Sequence, residues 1–247
     1  MRIISLTVCL YGCDYLKYAL ASVNLAVDAQ YVLYTSQGSH GHRTNAVCPD
    51  TRDQLAALAI EGAGSKLRWV EKDFDNEGAQ RDYIHVLEPD ADVIIVCDAD
   101  EIYSEGLINE INFLAHNVRP QHRRIRLPFW HYWRSFKRGF MHDPAFPERI
   151  ICPKSKENDV STLGTSHFVH HFGYAQRSEI VQYKQLTHGH KAEWRKDCDW
   201  FNDVFMANRQ TDCHPVGSEH WNCEDMDSSQ LPRVLNDHPF REMDVIP

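Results

Sequence analysis

In the amino-terminal half of the chain, short apolar runs alternate with longer stretches whose apolar positions recur every three or four residues. The runs predict strands at residues 3–8, 31–35, 67–70 and 92–97. The longer stretches predict helices at 16–27, 52–61, 78–87 and 107–115, the last with Ser104 as its N-cap. Strands alternating with helices through Gly, Pro, Asp and Asn turns predict an α/β fold, with a mixed, mostly parallel sheet flanked by helices.

After residue 119 the pattern changes. Residues 123–129 and 168–174 read as strands, and 179–184 and 199–208 as helices. Between them lie the aromatic run Phe129-Trp130-His131-Tyr132-Trp133 and a Pro-rich passage through Pro144, Pro147 and Pro153, which predict a pocket wall. Beyond Gln210 the chain is rich in Asp, Asn, Ser and Pro, without periodicity, and reads as an irregular tail on the surface.

The most informative of the apolar runs is Val93-Ile94-Ile95-Val96-Cys97, because it ends directly in Asp98-Ala99-Asp100-Glu101. Parallel sheets place ligand chemistry outside the carboxyl ends of their strands. In an extended or tightly turned segment the two-residue period points Asp98 and Asp100 the same way, so both carboxylates can face one ion. Oxygen ligands of this kind suit Mg²⁺ or Mn²⁺, with substrate phosphates completing the shell. The bland alternative is that these residues cap the next helix or are simply solvated. A helix-loop-helix calcium site is the weaker reading, since the position that needs Gly is Tyr103.

Composition narrows the partners. The 247 residues suffice for one sizeable core, and the formal charge of -9 does not suit a protein that binds a polyanion along its whole surface. Eight cysteines spread over a chain this large favour thiols over a disulfide framework. No apolar run approaches the roughly 18 residues of a membrane span, and Met1-Arg2-Ile3-Ile4-Ser5 runs into a strand rather than a signal peptide, so a cytoplasmic protein is the expectation.

The acidic turn after a hydrophobic strand resembles the Asp-x-Asp signature of the GT-A class of nucleotide-sugar glycosyltransferases, in particular its family 2-like branch. Leu6-Thr7-Val8-Cys9-Leu10-Tyr11, followed by Leu16, Leu20 and Ser22, is similar to that family's opening strand and first helix, where base and ribose lie over the strand end. Gly78-Ala79-Gln80-Arg81-Asp82 looks like the segment in which Gly and a basic residue approach the diphosphate, with Asp82 where the family usually has Asn. His170-His171-Phe172-Gly173-Tyr174, with Lys184, His188 and His190, resembles an aromatic-histidine segment of related transferases.

The resemblance covers roughly residues 1–195 and implies a GT-A (Rossmann-like) catalytic domain. Its nucleotide-sugar-binding half would be 1–118 and its acceptor side 119–195, leaving 196–247 as a helix and irregular extension. It implies donor binding by Thr7, Cys9, Tyr11, Arg81, Asp98 and Lys184, and an Mn²⁺ or Mg²⁺ ion held by Asp98 and Asp100 with a late histidine, His188 ahead of His190 and His171. Glu101, Trp130, Tyr132, Trp133 and His171 would face the sugar or acceptor. Inverting transfer needs a general base, for which Glu148, Asp143 and Asp159 are the candidates, Glu148 first. Retaining chemistry needs none and stays open.

The implied donor is a UDP- or GDP-sugar. For the acceptor, Trp130, Trp133, Arg134, Lys137 and Arg138 form an aromatic and basic patch in an otherwise acidic chain. Such a patch suits a glycan or lipid-linked acceptor ahead of a nucleic acid, in which a modified base of DNA would take the sugar. An inactive sugar-binding or interaction protein on the same scaffold, a metal-dependent hydrolase and a histidine-held zinc site are the competing readings. Cys213, His214, His220 and Cys223 match no strong zinc spacing.

Overall fold

A computed structural model describes residues 1–38, 44–117, 123–141, 147–155, 159–187, 191–217 and 219–245. The amino-terminal half runs β1 (Ile3–Cys9), α1 (Leu16–Val23), β2 (Ala29–Tyr34), α2 (Arg52–Ala63), β3 (Leu67–Glu71), α3 (Glu77–Asp82), α4 (Ile84–Leu87) and β4 (Val93–Val96). There follow β5 (Glu101–Tyr103), α5 (Glu105–Asn117), β6 (Arg124–Arg126), β7 (Phe129–Trp133) and β8 (Arg138–Met141). Then come β9 (Glu148–Ile151), β10 (Val160–Thr162), β11 (Val169–Tyr174), α6 (Ser178–Thr187) and β12 (Glu224–Asp225).

The larger sheet has the order β10-β6-β9-β4-β1-β2-β3. Strands β3, β2, β1 and β4 are parallel, and β9 alone is antiparallel to both its neighbours, β4 and β6. The fold is thus mixed α/β with a parallel-dominant sheet flanked by helices. Its centre follows from composition: every residue of β2 and β4 is buried, and β1 is buried at all positions but Val8. Strands enclosed on both faces read as continuous apolar runs. A second sheet, β12-β8-β7-β11-β5, packs its aromatic residues around Tyr15, Phe136 and Phe172, with Tyr132 stacked on Phe172 at 4.2 Å.

Several elements depart from the sequence pattern. The first helix stops at Val23 and continues as a 3₁₀ turn, Asn24–Ala26, while the helix expected over 78–87 divides at Tyr83. The expected strand at 123–129 breaks before Pro128, so that β6 joins one sheet and β7 the other. Pro lacks the N–H that a central strand needs. The aromatic run expected as pocket wall is β7 itself, consistent with the strand preference of large aromatics.

The segment read as a surface tail contributes Cys213, Trp221 and Leu235 to the buried core, isolated anchors that a periodicity argument does not see. The helix expected over 199–208 is a π-helix, Trp200–Met206, and buries Trp200 and Phe205. Ser104 does cap α5, its hydroxyl accepting from the Leu107 N–H at 3.3 Å.

Candidate functional site

Strands β1 and β4 are parallel neighbours, so their carboxyl ends deliver the Leu10–Gly12 loop and the acidic segment to the same edge of the sheet. There, a cavity of about 870 Å³ opens, bounded by Cys9, Tyr11 and Gly12 on one side and by Phe129, His131 and Glu148 on another. The acidic segment is a tight turn, with the Glu101 N–H donating to the Asp98 carbonyl at 3.0 Å. It is braced from below: the Thr7 hydroxyl donates to the Cys97 carbonyl at 2.7 Å, and the Tyr103 hydroxyl to the Val96 carbonyl at 2.6 Å. From the side, the Phe172 N–H donates to the Asp100 carbonyl at 2.8 Å.

From above, Gly12 lies against Ala99. Its φ of +140° and the 2.6 Å that would separate an added Cβ from the Ala99 Cβ restrict this position to glycine. Asp50 fixes the loop by accepting from the N–H groups of Gly12 and Cys13 at 2.7 and 2.8 Å. Arg177 in turn bridges Asp50, at 2.5 Å, to Asp14, at 2.6 Å.

Within the turn the carboxylates have separate partners. Asp98 accepts from Arg81 Nη2 with both oxygens, each at 2.9 Å, and from Arg149 Nη2 at 3.1 Å. Burial alone would raise the Asp98 carboxyl, but Arg81 and Arg149 outweigh it and hold the group below the usual carboxylate range. Glu101 has a side-chain exposure of only 1% and takes the fork of Arg149, Oε2 from Nε at 2.8 Å and Oε1 from Nη2 at 2.5 Å. Burial pushes the Glu101 carboxyl up, with Arg149 pulling against it.

Asp100 has other partners. Its Oδ2 accepts from Gln176 Nε2 at 3.0 Å and lies 3.6 Å from Lys184 Nζ, while its Oδ1 is 3.7 Å from His171 Nε2. The other ring nitrogen of His171 meets His131 Nδ1 at 2.7 Å. Burial pushes His171 down to about 4, so at neutral pH the ring is uncharged. Asp98 and Asp100 both line the cavity but have separate side-chain partners, the two guanidiniums for Asp98 and Gln176, Lys184 and His171 for Asp100.

The remaining sequence candidates divide by position. Cys9, Tyr11, Arg81, Lys184, Glu148 and His171 line the cavity. Thr7 is fully buried and spends its hydroxyl on Cys97, and so supports the turn without bordering the cavity. Trp130, Tyr132 and Trp133 are a correction to the sugar-facing expectation. Strand β7 is central in its sheet with both faces covered, so these rings fill the core, Trp133 against Phe205 at 5.5 Å and Tyr132 with its hydroxyl on His170 Nδ1 at 2.8 Å. The aromatic groups of β7 that border the cavity are Phe129 and His131.

Glu148 pairs with Arg124 at 3.1 Å, and Asp159 lies outside the cavity lining. Asp143, His188 and His190 lie outside the described residues. The basic patch does not form as one surface. Arg134 is buried and donates through Nη1 to the Phe205 and Met206 carbonyls, 2.8 Å each, at the end of the π-helix, while Arg138 pairs with Asp244 at 3.6 Å.

Arg149 and Gln176 are the site residues that sequence reasoning missed. Both belong to elements that reach the acidic turn only through tertiary pairing, β9 beside β4 and the loop after β11. Charge over the described lining is unequal: Glu77, Asp82, Asp98, Asp100, Glu101 and Glu148 face Arg81, Arg124, Arg149 and Lys184. The cavity thus carries two carboxylates in excess, so a diphosphate entering it needs a further cation.

Among the described residues no three or more His, Cys, Asp or Glu side chains form a metal cluster. Asp100 and His171 do fit a divalent ion that takes the rest of its shell from a substrate. Their 3.7 Å separation is too long for a hydrogen bond and comparable with the roughly 3 Å between neighbouring ligands of an octahedral ion. The His131 contact also fixes the second nitrogen of the ring, as metal-binding histidines require.

No family model matches the chain, and no curated protein matches it. Among solved structures it is similar to glucosyl-3-phosphoglycerate synthase from Mycobacterium tuberculosis in complex with Mg²⁺ and uridine diphosphate. That similarity has 13% identity and a TM-score of 0.37, over 54% of this chain and 44% of that one. It is similar also to S. aureus TarS 1–349, with 11% identity and a TM-score of 0.38 over 76% and 64% of the two chains. A third is 4-diphosphocytidyl-2C-methyl-D-erythritol synthase from Anaerococcus prevotii, with 12% identity and a TM-score of 0.39 over 74% and 99%. The chain spans less than half the length of the first of these. No helix among the described residues is long and apolar enough to cross a membrane.

Proposed function

We propose that the protein is a metal-dependent, GT-A type glycosyltransferase that moves a sugar from a UDP- or GDP-sugar to an acceptor hydroxyl with inversion. The observation that carries this reading is the cavity at the carboxyl ends of β1 and β4, in which two guanidiniums, an ammonium and the Asp100–His171 pair surround one space. A hydrolase of simple esters has no need of so many cations around one anion. A diphosphate leaving group does.

In this reading Asp100 and His171 hold Mn²⁺ or Mg²⁺ beside the diphosphate. When bound, the ion neutralises charge that builds on the departing nucleoside diphosphate. Arg81 and Lys184 add fixed positive charge to the same place, which costs no reorganisation at the moment of bond breaking. Arg81 Nη1 has no hydrogen-bond partner among the described residues, which leaves it a donor to spend on a phosphate oxygen. Glu148, at the cavity rim beside Arg124, is the proposed base that takes the acceptor's proton. With Trp133 and Arg134 buried, the patch offers no surface to an acceptor, and a glycan or lipid-linked hydroxyl is proposed ahead of a nucleic acid in a chain whose formal charge is -9.

The test is calorimetric titration of UDP and GDP with and without Mn²⁺, for the natural protein and for Asp100→Asn. Affinity for one of the two should rise at least tenfold with Mn²⁺ and lose that rise in the variant. Equal, metal-independent binding by both proteins would sink the ion site, and release of nucleoside diphosphate from a donor panel would identify the sugar.

A further inference from the structure

The third carboxylate of the turn, Glu101, borders the cavity but is nearly closed off, with its side chain 1% exposed and both oxygens on the Arg149 fork. Arg149 reaches the turn from β9, and its remaining contacts define its attitude. Nη2 also bonds Asp98, Nη1 donates to the Glu148 carbonyl at 3.3 Å, and the guanidinium carbon lies 5.3 Å from the centre of the Phe129 ring. Arg81 approaches the same Asp98 from α3 and is tied back to Glu77 at 2.7 Å. Two guanidiniums therefore meet on one carboxylate at the wall of the cavity. Each is anchored from behind by a further carboxylate, Glu77 for Arg81 and Glu101 for Arg149.

Like charges brought this close repel, and the arrangement persists only because the carboxylates hold it. Asp98 sits between the guanidiniums as a counter-ion. A ligand oxyanion that took over from Asp98 would find both cations already oriented, with the bidentate geometry that arginine offers phosphate. Resting on the function proposed above, we propose that Arg149 is a second diphosphate-binding guanidinium, paired with Arg81, and that Glu101 is the positioning residue that aims it. Asp98 then serves the guanidinium pair, and Asp100 alone of the two aspartates serves the ion.

The probe is inorganic pyrophosphate with Mn²⁺, which has neither base nor sugar and so reports on the phosphate seat whatever nucleotide the protein takes. Three variants are compared with the natural protein: Arg149→Lys, the charge-free pair Glu101→Gln/Arg149→Gln, and Asp98→Asn. The double variant removes both charges of the buried pair together, so that neither is left without its partner, and its melting temperature reports that it folds. Pyrophosphate affinity should fall at least tenfold in Arg149→Lys and in the double variant. Mn²⁺ binding without pyrophosphate, read by electron paramagnetic resonance, should stay within about twofold in all three.

Pyrophosphate binding retained by the folded double variant overturns the role of Arg149. Loss of Mn²⁺ binding in Asp98→Asn overturns the division of labour between the aspartates. Failure of the natural protein to bind either pyrophosphate or a nucleoside diphosphate would instead sink the transferase reading itself.

Discussion

Replacing Gly12 with alanine tests whether the loop after β1 sets the acidic turn. The new methyl would start 2.6 Å from the Ala99 Cβ, whereas carbon atoms in contact settle at about 3.5–4.0 Å, so loop and turn must part by about 1 Å. Overpacking of this size costs about 1–3 kcal/mol, and holding a residue with a side chain at φ +140° costs about 1–3 kcal/mol more. Gly64 supplies the control: its φ is also positive, at +57°, but no atom lies within 4 Å of an added Cβ, so Gly64→Ala should cost only the backbone strain of about 1–3 kcal/mol.

Urea unfolding gives both values, and the double variant Gly12→Ala/Ala99→Gly separates the contact from the backbone. Removing the Ala99 methyl should return about 1–3 kcal/mol as a coupling between the two positions. Because Ala99 sits between Asp98 and Asp100, a shift of about 1 Å there should also cost roughly 100-fold in turnover, which Gly64→Ala should leave alone. A coupling under about 0.5 kcal/mol, or equal losses in the two single variants, would refute the argument that Gly12 seats the turn.

Two further outcomes are expected. Burial pushes His170 down to about 3, against about 6.5 in an unfolded chain, so as pH falls the unfolded state takes up the proton first and stability drops through that window. The stability difference between the natural protein and His170→Gln should therefore shrink by about 2 kcal/mol between pH 7.5 and 5, and parallel curves would contradict the buried neutral ring. Arg134→Met removes two hydrogen bonds from a cation to the Phe205 and Met206 carbonyls and should cost about 2–3 kcal/mol of stability with nucleotide affinity unchanged. A loss of affinity without a loss of stability would return Arg134 to a ligand surface.

The sequence carried the sheet well where each strand was buried on both faces, since β1, β2 and β4 are predominantly apolar, broken only by Ser5, Thr7 and Gln30, and their order of appearance matches alternation with helices. It carried the second half less well. The apolar residues of β7 announce burial but not which sheet they join, and Trp200, Cys213 and Trp221 are too widely spaced to show a period. In the site, Arg81 was legible because it lies in a contiguous segment, Gly78-Ala79-Gln80-Arg81-Asp82, whose resemblance to a diphosphate-approaching segment can be read locally. Arg149 was not, because Pro147-Glu148-Arg149 resembles any short polar stretch until β9 is inserted antiparallel beside β4. Its only local signal was an arginine among carboxylates. Gln176 had no signal at all.

This difference between what is local and what is not also explains the acidic turn. Three carboxylates in four positions repel one another and would be destabilising in isolation, so the fold must supply their counter-charges from distant segments. Arg81 comes from before β4, Arg149 from β9, and Lys184 with Gln176 from beyond β11. The carboxylates are thereby tied to three distant parts of the chain, and the turn is the point where these parts are stitched together. A ligand that competes for any one guanidinium acts on the position of the others, because Asp98 and Glu101 share Arg149 through the same Nη2. Binding of an anion in the cavity and the geometry of Asp100 are therefore coupled through the backbone of a single tight turn, one that Gly12 and Asp50 hold shut from above.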